Sequence, residues 1–182
     1  MKEIMKKLMI ALAMLLVSGV AMAQDVTTFM GIPIDGTVES VKSKLKAKGF
    51  REEGIYKNLK GEFFGREAWV SVFGDKGLAN TVGVVFYCLD DKDYAKLLYN
   101  RIFDGLLDCG RYVYEDGEKI GENVDLLKEL LTADRNCLDS FFLQNGNEDS
   151  PVVVSVEYKD GEYNVVMVYW NNKNKHDINN DL

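Results

Sequence analysis

Alternating apolar and polar positions divide much of the chain into short strands. Three such segments occur in the first half and three in the second, at 59–65, 67–74, 80–88, 137–144, 152–159 and 163–170. A period of two indicates half-buried strands, because successive side chains point to opposite faces of a sheet. The turns "GDKG" and "KDG" predict that the last two segments of each group form a β-hairpin.

Helical periodicity precedes each group of strands. The first predicted helix begins after Thr37, which can cap it, and ends before Gly49. A second helix is predicted over about 90–108, with an aspartate at its start. A short third helix is predicted over 123–133 with Asn123 as its cap.

The two halves of the chain resemble each other, which predicts an α+β fold. "WVSVFGDKGLANTVGVVFY" and "VVSVEYKDGEYNVVMVYW" share a V-S-V strand, a Gly turn and a second apolar strand. We expect an antiparallel sheet of about six strands with helices on one face, built from two helix-plus-three-strand pseudo-repeats at about 30–89 and 90–170. The stretch 111–119 is either a short strand or a loop. Residues 24–182 then form a single domain that ends in a polar tail, 171–182.

The first 23 residues have the layout of a secretory signal peptide. A basic start is followed by the apolar run "LMIALAMLLV" and by "AMA" before Gln24. The apolar run is too short to span a bilayer, and no second one follows, so membrane insertion is not expected. We expect an exported protein, periplasmic or extracellular, that is soluble after cleavage following Ala23.

The charge balance narrows the choice of partners. Loss of the signal peptide removes three lysines and one glutamate and changes the formal net charge from −7 to −9. Nucleic acids require a basic surface, so a nucleic-acid partner is not expected.

Three cysteines remain in a chain that we expect to be exported, where disulfides persist. Their odd number allows at most one internal bridge, and Cys109 with Cys137 is the predicted pair. Cys88 ends an apolar strand and is expected to be a small buried residue. No close cysteine pair accompanies the single histidine, so a zinc site is not expected.

No motif indicates catalysis, a metal or a cofactor. The only histidine, His176, lies in the polar tail, and no nucleophile is placed to act with it. Asx-rich segments at 145–150 and 171–181 lack the pattern of a calcium loop. Scattered carboxylates leave one enzymatic alternative open, a small secreted hydrolase with a carboxylate pair.

Four aromatic residues are the candidates for binding: Trp69, Phe73, Tyr87 and Trp170. Trp69 and Phe73 share one face of their strand, and helices can cover only one face of a single sheet. Aromatic rings mixed with polar groups on the other face are typical of contacts with a protein, peptide or glycan. The alternative is that these rings belong to the core. The sequence therefore favours an exported binding or inhibitor-like module.

Three stretches also carry a resemblance to known proteins. "FMGIPIDGTVESVKSKLKAKGF", "LKGEFFGREAWVSVF" and "GEYNVVMVYWNNKN" are similar to a family of small secreted bacterial proteins without assigned function. The helix-plus-meander repeat resembles the architecture of β-lactamase inhibitor proteins and of small outer-membrane assembly lipoproteins. The lipid-bearing cysteine of the lipoproteins is missing, so their membrane anchorage is not implied. Neither resemblance brings catalytic residues.

Overall fold

The computed structural model describes residues 26–133 and 136–174. The predicted signal peptide and His176 lie outside the described residues. The helices are α1 (Val38–Ala47), α2 (Lys92–Asp108) and α3 (Leu126–Thr132), and a short 3-10 helix spans Asn172–Asn174. The strands are β1 (Thr28–Phe29), β2 (Ile32–Pro33), β3 (Arg51–Glu53), β4 (Asn58–Phe63), β5 (Arg66–Asp75), β6 (Leu78–Leu89), β7 (Tyr112–Asp116), β8 (Cys137–Gln144), β9 (Pro151–Lys159) and β10 (Glu162–Trp170).

An antiparallel sheet of eight strands dominates the described chain, in the order β3-β4-β5-β6-β10-β9-β8-β7. The predicted α+β class with an antiparallel sheet is confirmed, but the number of about six strands is wrong. The additional strands are the two edges, β3 and β7. Strand β7 lies in the stretch 111–119, for which a short strand was one of the two alternatives. Strand β3 is short and fully exposed, so no apolar alternation marks it in the sequence.

Both predicted hairpins are confirmed. Strand β5 pairs with β6, and β9 pairs with β10. Their turns place two consecutive residues at positive φ, Lys76 and Gly77 at 46° and 86°, and Asp160 and Gly161 at 54° and 90°. Such turns match the twist of the flanking strands, which is why a glycine stands second in each.

The helix caps fix where the long helices begin. The Thr37 hydroxyl accepts a hydrogen bond from the Ser40 N–H at 3.1 Å, and the Asp91 carboxylate accepts one from the Tyr94 N–H at 2.8 Å. The third helix is shorter than predicted. A turn between Gly121 and Val124 precedes it, so the predicted cap Asn123 lies in that turn and Asp125 takes the N-cap position.

The helices cover one face of the sheet and enclose the core there. Helix α1 packs on β5, helix α2 on β9 and β10, and α3 on β8 and β9. The turn between β4 and β5 also contacts α2, because the Phe64 ring lies against Gly105, where an added Cβ would be 2.8 Å from the ring. In the described part of the chain, no helix combines the length and apolar composition needed to cross a membrane.

Polar contacts fasten the N-terminal segment to the end of β10. The Thr27 hydroxyl donates to the Trp170 carbonyl at 2.6 Å, and the amide of Asn171 donates to the Ile34 carbonyl at 2.7 Å. The buried Gln144 side chain accepts from the Thr28 N–H at 2.6 Å and donates back to its carbonyl at 2.9 Å. These bonds hold the segment before α1 over the core.

The predicted disulfide between Cys109 and Cys137 is not formed, and all three cysteines are thiols. Cys109 follows α2, and Tyr112, three residues later, pairs with Gln144 at the far end of β8 from Cys137. An eight-residue strand is about 23 Å long, whereas disulfide-bonded Cα atoms lie within roughly 7 Å. Cys88 is buried as predicted, and desolvation raises the pKa of its thiol to about 11.

Candidate binding surface

The side of the eight-stranded sheet that faces away from the helices forms a second surface, which we call the open face. The strand register brings its side chains together across five strands. One row runs from Trp69 on β5 through Val85 and Val166 to Ser155 and Asp139. The open face comprises Trp69, Ser71, Phe73, Thr81, Gly83, Val85, Tyr87, Asp139, Phe141, Val153, Ser155, Glu157, Asn164, Val166, Val168 and Trp170.

All four predicted binding residues lie on the open face, and none belongs to the core under the helices. Phe73 is 57% exposed and Tyr87 is 54% exposed. Trp69 and Trp170 are half-buried among their neighbours. The rings of Phe73 and Tyr87 are therefore more accessible than those of the two tryptophans.

Trp69 is engaged within the protein on two sides. The Lys60 ammonium lies 5.3 Å from the centre of its ring, and Tyr87 meets it edge to face at 6.4 Å between ring centres. Lys60 is held by the Glu67 carboxylate at 3.0 Å, and this contact raises the pKa of the lysine. Trp69 therefore supports Tyr87 from one side.

Phe73 and Trp170 stand on either side of β6. Both are paired across the sheet with Thr81, so they flank that small residue at one end of the open face. The next open-face position of β6 is Gly83, and a Cβ there would lie 3.6 Å from Cε2 of Phe73. The Phe73 ring therefore lies close to Gly83, which has no side chain to displace it.

At the other end of the open face, a hollow of about 300 Å³ opens beside Tyr87. It is lined by Val85, Tyr87, Glu157, Lys159, Asp160, Glu162 and Asn164. Asn164 is only 8% exposed. Its Nδ2 donates to a Glu157 carboxylate oxygen at 3.4 Å, and its Oδ1 is buried without a hydrogen-bond partner. A buried acceptor left in this state costs about 1–3 kcal/mol.

Neither Asn164 nor Glu157 was among the binding residues predicted from the sequence. The available signal was a polar residue inside an otherwise apolar strand, in "YNVVMVYW" and in "VVVSVEYK". Burial of such polar side chains against the core would cost free energy, so their presence indicates the face of the sheet that is turned away from the core.

The hollow also gives the carboxylate-pair hypothesis a location, because Glu157 and Glu162 both line it. Glu162 is exposed to solvent. The two carboxyl groups provide hydrogen-bond acceptors at this end of the open face.

A larger hollow of about 470 Å³ lies on the helix side, between α2, α3 and the segment 117–121. Its most reactive groups are engaged: the Tyr99 hydroxyl contacts the Ser140 hydroxyl at 2.6 Å and donates to the Glu118 carbonyl at 3.2 Å. Burial raises the pKa of Tyr99 to about 12, so this phenol stays protonated. We assign the pair to structural hydrogen bonding.

Metal ligands are not grouped in the described residues: no cluster of three or more His, Cys, Asp or Glu side chains could hold an ion there. Comparison with known proteins returned nothing, since no family model matches the sequence and neither a curated protein nor a solved structure matches the chain.

Proposed function

We propose that this chain is a binding module that acts by contact, and that its partner is a protein docked on the open face. The observation that carries the proposal is the exposure of Phe73 and Tyr87, at 57% and 54%, on the sheet face that no helix of the described residues covers. Aromatic rings are enriched at interface centres, where a few of them supply most of the binding energy.

The size and charge of the open face favour a protein as the partner. From the Thr81 row to the Tyr87 row, and from β5 to β8, the face measures roughly 20 Å in each direction. That projected area of about 400 Å² is similar to the largest surface patch of a typical monomer, which is often functional. The chain has a formal net charge of −7, so a basic partner would be attracted and a second copy repelled.

The proposal also includes export of the protein, its resemblance to small secreted bacterial proteins and the presence of two pseudo-repeats. The signal-like residues 1–23 favour export to the periplasm or beyond. In each half of the chain a helix is followed by strands that run in order from one edge of the sheet to its centre. The first half ends at β6 and the second at β10, and these two strands are neighbours, which favours two pseudo-repeats. This arrangement is the reason to retain an inhibitor-like role and the resemblance to small secreted bacterial proteins.

Site-specific photo-crosslinking tests the proposal in the native cell. A benzophenone amino acid replaces Phe73 or Tyr87, and in a matched control it replaces Leu97, which is 63% exposed on α2. We expect one protein adduct at both open-face positions and none at Leu97. The adduct, once identified by mass spectrometry and purified, should bind the unmodified chain with an affinity that Phe73→Ala lowers and Leu97→Ala leaves unchanged.

Three outcomes would overturn the proposal. The first is equal crosslinking at Leu97 and at the open face. The second is self-association through the open face, seen by analytical ultracentrifugation. The third is turnover of a glycan or peptide that is abolished by Glu157→Gln or Glu162→Gln, since this would establish the hydrolase alternative.

A further inference from the structure

The hollow beside Tyr87 has an excess of negative charge. Three of its lining residues are the carboxylates Glu157, Asp160 and Glu162, and they are accompanied by the ammonium of Lys159. Lys159 lies opposite Glu162 in the register of β9 with β10, at the turn end of the hollow. Three carboxylates against one ammonium leave an excess of negative charge for a positive group supplied from outside.

Asn164 gives the hollow a feature that an acidic rim alone would lack. Its side chain is more than nine-tenths buried, its Nδ2 faces Glu157, and its Oδ1 accepts no hydrogen bond from the described protein atoms. Asn164 is one of the residues that line the hollow, so a donor bound there that reaches Oδ1 would remove its desolvation cost. Asn164 Oδ1 can therefore accept a hydrogen bond from a ligand, and the carboxylates of the hollow likewise favour a ligand that donates hydrogen bonds.

Tyr87 supplies an aromatic wall for the same group. More than half of its surface is exposed, and the edge contact with Trp69 fixes the direction of the ring. Cations are attracted to the faces of such rings, arginine most often because its planar guanidinium can stack and can also bind a carboxylate with two hydrogen bonds.

We propose that the hollow receives a cationic side chain, an arginine, from the partner protein. The inference rests on the proposed function, because it specifies what the partner presents at one end of the open face. The arginine stacks on Tyr87, pairs with Glu157 and Glu162, and donates to Asn164 Oδ1. Phe73 and Trp170 contact apolar groups of the partner at the other end.

A nuclear magnetic resonance titration with N-acetyl-arginine methylamide tests the inference on the chain itself. The probe's neutral isostere, N-acetyl-citrulline methylamide, is the control ligand. We expect saturable shifts of the Asn164 side-chain amide and of backbone amides 157–164, with an affinity in the millimolar range and at least about tenfold weaker for citrulline. The double variant Glu157→Gln/Glu162→Gln should lose the shifts, and Glu148→Gln, an exposed loop residue, should keep them.

Equal affinity for the two amides, or no saturable shift up to their solubility, would overturn the inference. Failure of the inference and of the proposed function can be told apart with the crosslinked partner. If Phe73→Ala weakens that complex and Glu157→Gln/Glu162→Gln does not, the proposed arginine contact is refuted and the proposed docking on the open face is retained. If neither variant weakens it, the partner binds elsewhere.

Discussion

Replacement of Phe73 by alanine should cost little folding stability, although Phe73 is a large apolar residue within strand β5. The matched comparison is Phe142→Ala on β8. Phe142 is 0% exposed and contacts the rings of Phe103 and Tyr114 at 5.3 and 5.9 Å between centres. The two substitutions delete the same atoms from opposite faces of one sheet.

The expected magnitudes follow from burial. Complete burial of a phenylalanine side chain is worth about 1.5–3 kcal/mol, and Phe73 is 57% exposed, so its loss should cost about 1 kcal/mol. Phe142→Ala opens a cavity between α2 and the sheet as well, and such substitutions cost about 3–5 kcal/mol.

Urea denaturation followed by circular dichroism measures both free energies of unfolding. The slope of the free energy with urea should be the same for wild type and Phe73→Ala, which shows that the two unfold the same amount of surface. Leu97→Ala, on the solvent side of α2, gives the baseline for an exposed residue. A cost for Phe73→Ala equal to that of Phe142→Ala would mean that the open face is core, and the reasoning would be refuted.

Three further predictions concern individual groups. Iodoacetamide at neutral pH should alkylate the exposed Cys109 in the native protein and Cys88 only after unfolding, because burial raises the pKa of Cys88 to about 11. Rapid labelling of Cys88 in the native protein, detected by mass spectrometry, would contradict this. Tyr99 ionises at about 12 in the folded chain against about 10 when unfolded, so its contribution to stability is complete below pH 10 and is lost as the pH rises through about 12. Absorbance at 295 nm should show a late titration that is smaller by about one tyrosine in Tyr99→Phe, since burial also raises the pKa of Tyr112, Tyr163 and Tyr169. Mass spectrometry of the exported chain should give an N-terminus at Gln24, and retention of Met1 would refute the proposed cleavage.

The face on which each side chain of the central strands lies could be predicted, because burial of one face imposes a strict period of two. Trp69 and Phe73 alternate with Val70 and Val72, and the two pairs lie on the opposite faces that this alternation predicts. The edge strand β3 could not be predicted in this way. β3 consists of Arg51, Glu52 and Glu53, whose side chains are all exposed, so no pattern of burial distinguishes the strand from a loop.

The candidate surface was predictable in its aromatic part and not in its polar part. Which residues share a face follows from position along a strand, but which strands become neighbours depends on the order of the sheet. The hollow needs β6, β9 and β10 side by side, since it combines Tyr87, Glu157 and Asn164. The position of the Lys60 ammonium over Trp69 likewise depends on the pairing of β4 with β5. This strand pairing cannot be inferred from the local sequence.

The affinity of the purified partner for open-face variants tests the central claim most directly. The dissociation constant is measured by isothermal titration calorimetry for wild type, Phe73→Ala, Trp170→Ala and Leu97→Ala, with each variant first shown to be folded. We predict that the open-face substitutions weaken binding by about 2 kcal/mol, roughly thirtyfold in the dissociation constant, and that Leu97→Ala changes it by less than about twofold. Unchanged affinity for Phe73→Ala and Trp170→Ala in folded protein would contradict the account, since the partner would then bind a surface other than the open face.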